Sequence, residues 1–196
     1  MYKKLNITEN FLQVLTVFTN GYTGEFHIRE IAKLKEMNVR TVQLILENLE
    51  SKGVTESKTR GKIKSYKLQG NDITKMYMTF TEQYKAISYL EENLLIKEII
   101  EKISPHIQGL GLIFGSYANH TNKENSDLDI FVAGECDIKE ISRISKIYGI
   151  DISIKCYPMK TFDKKIQKDV LIKKVLKNHI VFKNTEMLIE KVITNG

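Results

Sequence analysis

The chain has 196 residues, 42% of them hydrophobic and 28% charged, with a net charge of +6. That is ordinary globular composition, enough for one larger domain or two small ones with a buried core. Residues 1–6 carry no long apolar run of the kind that opens a secretory leader, and no apolar run approaches the length of a membrane span. Cys136 and Cys156 are the two cysteines and lack metal-ligand spacing. They read as reduced thiols of a cytoplasmic protein. The charge is uneven: residues 1–70 carry 12 basic and 7 acidic side chains, residues 71–105 carry 4 and 6, and residues 106–196 carry 14 and 11. The basic excess of the first third points to a polyanionic partner.

Asn10 to Thr19 is an apolar helical stretch stopped by Asn20-Gly21. Residues 27–34 predict a short amphipathic helix with Ile28, Ile31 and Leu34 on one side. After a turn at Glu36-Met37-Asn38, Val39, Val42, Ile45, Leu46 and Leu49 give a further helix its core stripe, which ends at Lys52-Gly53. Residues 54–58 and 63–68 then flank Thr59-Arg60-Gly61-Lys62 as a hairpin with a basic tip.

Three helices followed by a basic hairpin resemble the winged helix-turn-helix of archaeal and bacterial regulators. The resemblance implies a third helix that enters the major groove and a wing that touches the backbone. Arg40, Thr41, Gln43 and Leu44 lie off the core stripe and are the base-reading candidates. Lys58, Arg60, Lys62 and Lys64 are the phosphate candidates, a salt-sensitive contribution. Glu47 and Glu50 place negative charge along the same helix, and docking to protein is the alternative use of such a domain.

Asn71 to Ser104 is helical throughout, with a break expected near Glu91-Glu92-Asn93 and an end at Ser104-Pro105. Its apolar stripe makes it an interdomain linker and a surface for a second copy of the chain, so a homodimer is expected.

Leu110 to Phe114 reads as a buried strand that runs into Gly115-Ser116. Ten residues later comes Asp127-Leu128-Asp129, at the start of a second strand through Val132. Strand alternation sends Asp127 and Asp129 to one face while Leu128 and Ile130 face the core. Paired carboxylates repel each other unless a cation lies between them, and hard ions such as Mg²⁺ favour oxygen donors. Asp151 and Ser153 share a face of a third strand, with Ile150, Ile152 and Ile154 turned inward.

The pattern Gly-Ser-x10-Asp-x-Asp resembles the signature of the polymerase β-like nucleotidyltransferases, in particular the minimal stand-alone type, over roughly residues 106–195. The implied fold class is α/β (α+β): a winged helix-turn-helix domain over 1–70, a helical linker over 71–105, and a nucleotidyltransferase with a small mixed sheet over 106–196. The resemblance further implies that Gly115 and Ser116 open a short phosphate-binding helix. It implies that Asp127 and Asp129 hold two Mg²⁺ ions against a nucleoside triphosphate, and that Asp151 ligates the metal shared with the acceptor hydroxyl. NTP, probed first as ATP, would be the substrate, and NMP transfer to a hydroxyl the reaction.

The family commonly reads Gly-Ser-x-Ala-Arg-Gly, whereas this chain has Gly115-Ser116-Tyr117-Ala118-Asn119-His120. Either Asn119 and His120 make good the lost cation or triphosphate binding is weakened. Relatives of the minimal type act as antitoxins that adenylylate a HEPN-type ribonuclease toxin, so a separate protein acceptor is one implied partner. The alternative is a DNA-binding regulator whose transferase domain senses nucleotide. An aminoglycoside-type transferase needs no N-terminal winged helix, and the architecture argues against it. In the tail, Phe162 to Asn178 suggests one helix, residues 179–182 a strand, and Thr185 to Ile193 a closing helix. His179 reads as structural, and Lys155, two positions beyond Ser153, is a candidate for reaching phosphate.

Overall fold

The computed structural model describes residues 5–61 and 63–193. The chain is mixed α/β and divides into two compact units, residues 1–81 with 193–196 and residues 82–192. Among the described residues no helix is long and apolar enough to cross a membrane.

In the first unit, α1 (Glu9–Thr16) is capped by Thr8, whose hydroxyl accepts from Phe11 N at 3.3 Å. Next come β1 (Phe26–His27), α2 (Ile28–Leu34), α3 (Val39–Ser51), β2 (Thr55–Arg60), β3 (Ile63–Leu68) and the start of α4 (Asp72–Glu92). The sheet order is β1-β3-β2, antiparallel throughout. The hairpin closes at the pair Arg60↔Ile63, and Gly61 turns the chain at φ +62°. Strand β2 runs two residues closer to the turn than residues 54–58 would take it, whereas β3 covers the expected residues 63–68.

Leu15, Phe18, Ile31, Val42, Leu46 and Leu49 fill the core of this unit. Two positions expected in the helical stripes are not part of it. Leu34 is 59% exposed as the last residue of a seven-residue helix, and Ala32 is buried there instead. Val39 is 46% exposed because it follows the Asn38 cap directly, ahead of the first packed turn. Asn71 fixes the start of α4: its Oδ1 accepts from Thr74 N at 2.9 Å and its Nδ2 donates to Gly53 O at 2.8 Å.

The second unit takes the rest of α4 from Glu82 onward. Helix α5 (Leu94–Ile103) follows a break at Asn93, whose Nδ2 donates to Tyr89 O at 2.8 Å. Then come β4 (Ile107–Phe114), α6 (Gly115–Ala118), β5 (Leu128–Cys136), α7 (Ile138–Tyr148), β6 (Ile152–Tyr157), α8 (Met159–Lys165), α9 (Val170–Lys177), β7 (His179–Lys183) and α10 (Thr185–Val192). The sheet order is β6-β5-β4-β7, with β5 and β6 parallel and the other pairs antiparallel. Parallel neighbours need a crossover, and α7 supplies it.

Alternation along β5 divides the core. Leu128, Ile130 and Val132 pack with Ile99 and Ile103 of α5 and Ile141 of α7. Phe131, pointing the other way, lies 5.9 Å ring to ring from Phe162 of α8 and 5.4 Å from Tyr157.

The single helix expected over residues 162–178 is two helices. Asp169 N bonds Lys165 O at 2.8 Å as α8 ends, and the Asp169 carboxylate then caps α9, accepting from Leu171 N at 2.9 Å and Ile172 N at 3.1 Å. An N-cap aspartate satisfies the donors that the first turn leaves unpaired, so it starts a new helix rather than continuing an old one. Strand β7 opens on His179, fully buried, with Nε2 3.3 Å from Glu82 Oε1 and Nδ1 3.2 Å from Leu176 O. Glu82 is equally buried, and Lys85 Nζ lies 3.0 Å from its Oε2.

Candidate functional site

One row of the sheet sets the centre of the site in the second unit. Phe114, the last residue of β4, pairs with Asp129 on one side and His179 on the other. Beyond it Gly115 adopts φ +73°, a conformation that strains any residue with a Cβ, and α6 begins. A Cβ at this position would lie inside 3.0 Å of Asp129 Oδ2 and 3.1 Å from its Cγ. The glycine therefore makes room for the carboxylate that the sheet register sets beside it.

Asp127 is exposed one residue ahead of β5, and Asp129 is half-buried on the strand. In the parallel ladder Asp129 pairs with Ser153, and Leu128 N donates to Asp151 O at 2.8 Å. The same register carried back two residues brings the backbone of Asp151 beside that of Asp127. Burial pushes the Asp129 pKa up, and the negative charge of Asp127 adds to the rise; Lys174, Lys155 and the Ser153 hydroxyl oppose it. Burial, with Asp127 again second, raises the Tyr117 phenol as well.

These carboxylates offer only oxygen, and charging Asp129 is penalised without a counter-ion, so Asp127 and Asp129 fit a hard divalent cation. Asp151 does not close the set. Among the described residues no group of three or more His, Cys, Asp or Glu side chains is gathered at metal-holding spacing.

Asn119 lies at the end of α6, exposed, and its Oδ1 accepts from Asn178 Nδ2 just past α9. His120, at φ +54°, stands with its ring 5.5 Å from that of Tyr89, edge to face. The loop back to β5 is tied by Lys123 N donating to Ser126 Oγ at 2.8 Å. Lys155 is exposed on β6, two residues beyond Ser153. Lys174 and Asn178 carry no motif that a reading of the sequence could have caught. Their only signal is a spacing of four residues within a helical stretch.

In the first unit Arg40 is exposed near the start of α3, Thr41 and Gln43 are half-buried, and Gln43 Nε2 donates to Glu47 Oε1 at 2.8 Å. Lys58 and Arg60 are exposed on β2. Lys64 is engaged: its Nζ is 2.9 Å from Glu50 Oε2, and the Ser57 hydroxyl also donates to Glu50. These contacts, the Ser57 bond first, hold the Glu50 pKa below its usual value. Lys62, the remaining candidate on the hairpin, lies outside the described residues.

A family model described as Polymerase beta, Nucleotidyltransferase matches residues 95–187 and supports a nucleotidyltransferase-type function for that part of the chain. No curated protein matches. Among solved structures, an archaeal chromatin protein, TrmBL2, whose structure shows a novel mode of DNA binding, is 16% identical over 86% of this chain and 68% of that chain. Its TM-score is 0.28, which carries no argument about a shared fold.

Proposed function

We propose that the chain is a divalent-metal-dependent nucleotidyltransferase that moves NMP from an NTP, ATP first, to a hydroxyl. The observation that carries the reading is the fit of Gly115 against Asp129, which sets a backbone turn able to approach phosphate directly beside a carboxylate able to hold a cation. In this reading Asp127 and Asp129 hold Mg²⁺, and Gly115, Ser116 and Asn119 bind the nucleotide. Bound metal would supply positive charge to the phosphates and make the acceptor hydroxyl more acidic. Asp151 orients that hydroxyl and takes its proton. The hydroxyl oxygen forms a bond to the α-phosphorus, the bond from that phosphorus to the bridging oxygen breaks, and pyrophosphate leaves.

The acceptor in this reading is a separate protein of the HEPN toxin type. Residues 1–70 act as a winged helix-turn-helix that binds DNA through Arg40, Thr41, Gln43, Lys58, Arg60, Lys62 and Lys64, residues 71–105 as a linker, and residues 106–196 as the transferase, in a homodimer. The element order α1-β1-α2-α3-β2-β3, with exposed Lys58 and Arg60, supports the DNA-binding part. It also keeps a second reading in play, a regulator in which bound nucleotide alters DNA affinity.

The deciding experiment incubates the chain with Mg²⁺ or Mn²⁺, each α-labelled NTP and a lysate, beside an Asp127→Ala/Asp129→Ala control. Label that moves to one polypeptide and vanishes in the control is the expected outcome. Saturable nucleotide binding with no transfer under either metal would turn the reading to the nucleotide-sensing regulator.

A further inference from the structure

Helix α4 runs unbroken from Asp72 to Glu92 and is turned the opposite way from an ordinary surface helix. Its buried side includes three polar residues, Thr74, Thr81 and Glu82, all fully enclosed. The two threonines are satisfied there: Thr74 Oγ1 donates to Val54 O at 3.1 Å and Thr81 Oγ1 to Tyr77 O at 2.8 Å. The solvent side is apolar instead. Met76 is 69% exposed and Ile87 58%, and Ile73 and Phe80 are open to solvent as well.

The spacing on that side has a definite period. Ile73, Met76, Phe80, Gln83, Ile87 and Leu90 alternate by three and four residues, and the count reaches the exposed Leu94, the first residue of α5. Two positions in every seven form the seam along which one helix packs against another, each side chain seated among four of the facing helix. Large apolar groups held in water along such a row mark an interaction surface.

Its own copy is the helix this row fits. Like can pair with like only if the flanks do not repel, and Tyr77, Thr79, Tyr84 and Ala86 beside the row are uncharged. Gln83, the one polar member, is exposed, and its amide both donates and accepts, so an identical amide satisfies it. In a parallel, in-register pair each position meets its own copy, and Gln83 meets Gln83. In an antiparallel pair Gln83 would face an apolar side chain and lose that partner. The surface is also large enough. The exposed apolar residues from Ile73 to Leu95 present on the order of 600 Å² per copy, against about 800 Å² per partner in a standard interface.

We infer that two copies of the chain pair in parallel along this row, with Phe80 against Phe80 and Gln83 against Gln83 near its centre. The inference rests on the homodimer of the proposed function and gives that dimer its seam, its direction and its register. A two-fold axis along the seam closes the pair, so assembly stops at two copies.

The test is sedimentation of the full chain over a dilution series, for wild type, Met76→Lys, Ile87→Lys and, off the row, Val170→Lys. Wild type should sediment as a dimer. Met76→Lys and Ile87→Lys each bring two like charges into the seam and should weaken dimerisation by about a hundredfold or more. Val170 is exposed on α9, and its substitution should leave the dimer unchanged. Met76→Cys, in a chain carrying Cys136→Ser and Cys156→Ser, should crosslink to its own copy under mild oxidation. An antiparallel pair would set residue 76 against residue 87 and give no such crosslink, which would overturn the parallel pairing. A dimer that survives both lysine substitutions would overturn the seam while leaving the homodimer standing. Wild type that stays monomeric at every concentration would overturn both and leave the row to a different protein. Met76 and Ile87 are exposed, so the far-ultraviolet dichroism of the variants should match wild type, which guards against a folding defect.

Discussion

Gly115 and Asp129 are packed so that the carboxylate occupies the space where a Cβ on residue 115 would stand, inside 3.0 Å of Asp129 Oδ2. Gly115→Ala therefore meets two penalties, the clash and a φ of +73° that disfavours a side chain. It should destabilise the second unit by about 1–3 kcal/mol and displace the Asp129 carboxylate. Denaturant unfolding reads the first effect and Mg²⁺–ATP titration the second. Wild-type nucleotide affinity in Gly115→Ala would show that the turn is not part of the site.

Asp129 is costly to ionise where it stands, because of burial first and Asp127 second. Its folded pKa is above the unfolded value, so its contribution to stability is present at low pH and is lost as pH rises through the folded pKa. At neutral pH the charged form is a liability to the metal-free fold. Asp129→Asn should accordingly leave the melting temperature at pH 7 unchanged or higher, while nucleotide transfer falls by about 10²–10³-fold or more. A lower melting temperature in Asp129→Asn would mean that the carboxylate is structural.

His179 and Glu82 are both fully buried and 3.3 Å apart. Burial first, then the charge of Lys85, holds the His179 pKa down against the opposing pull of Glu82. Because the folded pKa lies below the unfolded value of 6.5, stability is fully present above pH 6.5 and is lost as pH falls through the window beneath it. Urea unfolding between pH 8 and pH 5 should show this loss in wild type and a flatter profile in His179→Gln. Glu82→Ala, which removes the carboxylate beside Lys85 and His179, should cost about 3–5 kcal/mol at pH 7.5.

Lys64 is committed to Glu50 at 2.9 Å, whereas Arg60 is exposed near the hairpin turn. If the hairpin contacts DNA phosphates, Arg60→Ala should lower affinity and reduce the salt slope by about 0.9 per lost contact. Lys64→Ala should change both less, since its ammonium is shared with a carboxylate. Fluorescence anisotropy on duplex DNA across a salt series separates them. A larger loss of salt slope in Lys64→Ala than in Arg60→Ala would reverse the assignment.

Much of this protein is written in its sequence by local rules. The period of apolar residues marks α3, α5 and β4, and alternation sends Leu128 and Ile130 inward while Asp127 and Asp129 go the other way. The Gly-Ser to Asp-x-Asp spacing identifies the nucleotidyltransferase-type segment before any coordinates exist. Those signals are legible because helix and strand periods depend on neighbours a few residues apart. The break at Asp169 was also present as an ordinary capping residue, but the apolar pattern on both sides hid it.

What tertiary structure alone decided are the meetings of residues far apart in the chain. The order β6-β5-β4-β7 places Phe114 between Asp129 and His179; nothing in residues 107–114 says which strands will flank them. The contact of Asn178 with Asn119, the burial of His179 against Glu82 and the capture of Lys64 by Glu50 join residues between 14 and 97 positions apart in sequence. Such pairings depend on strand register and on which side of the sheet each helix packs. A charged side chain reads the same in sequence whether it ends in solvent or beside a carboxylate, and only the fold distinguishes Lys64, held by Glu50, from the exposed Lys58.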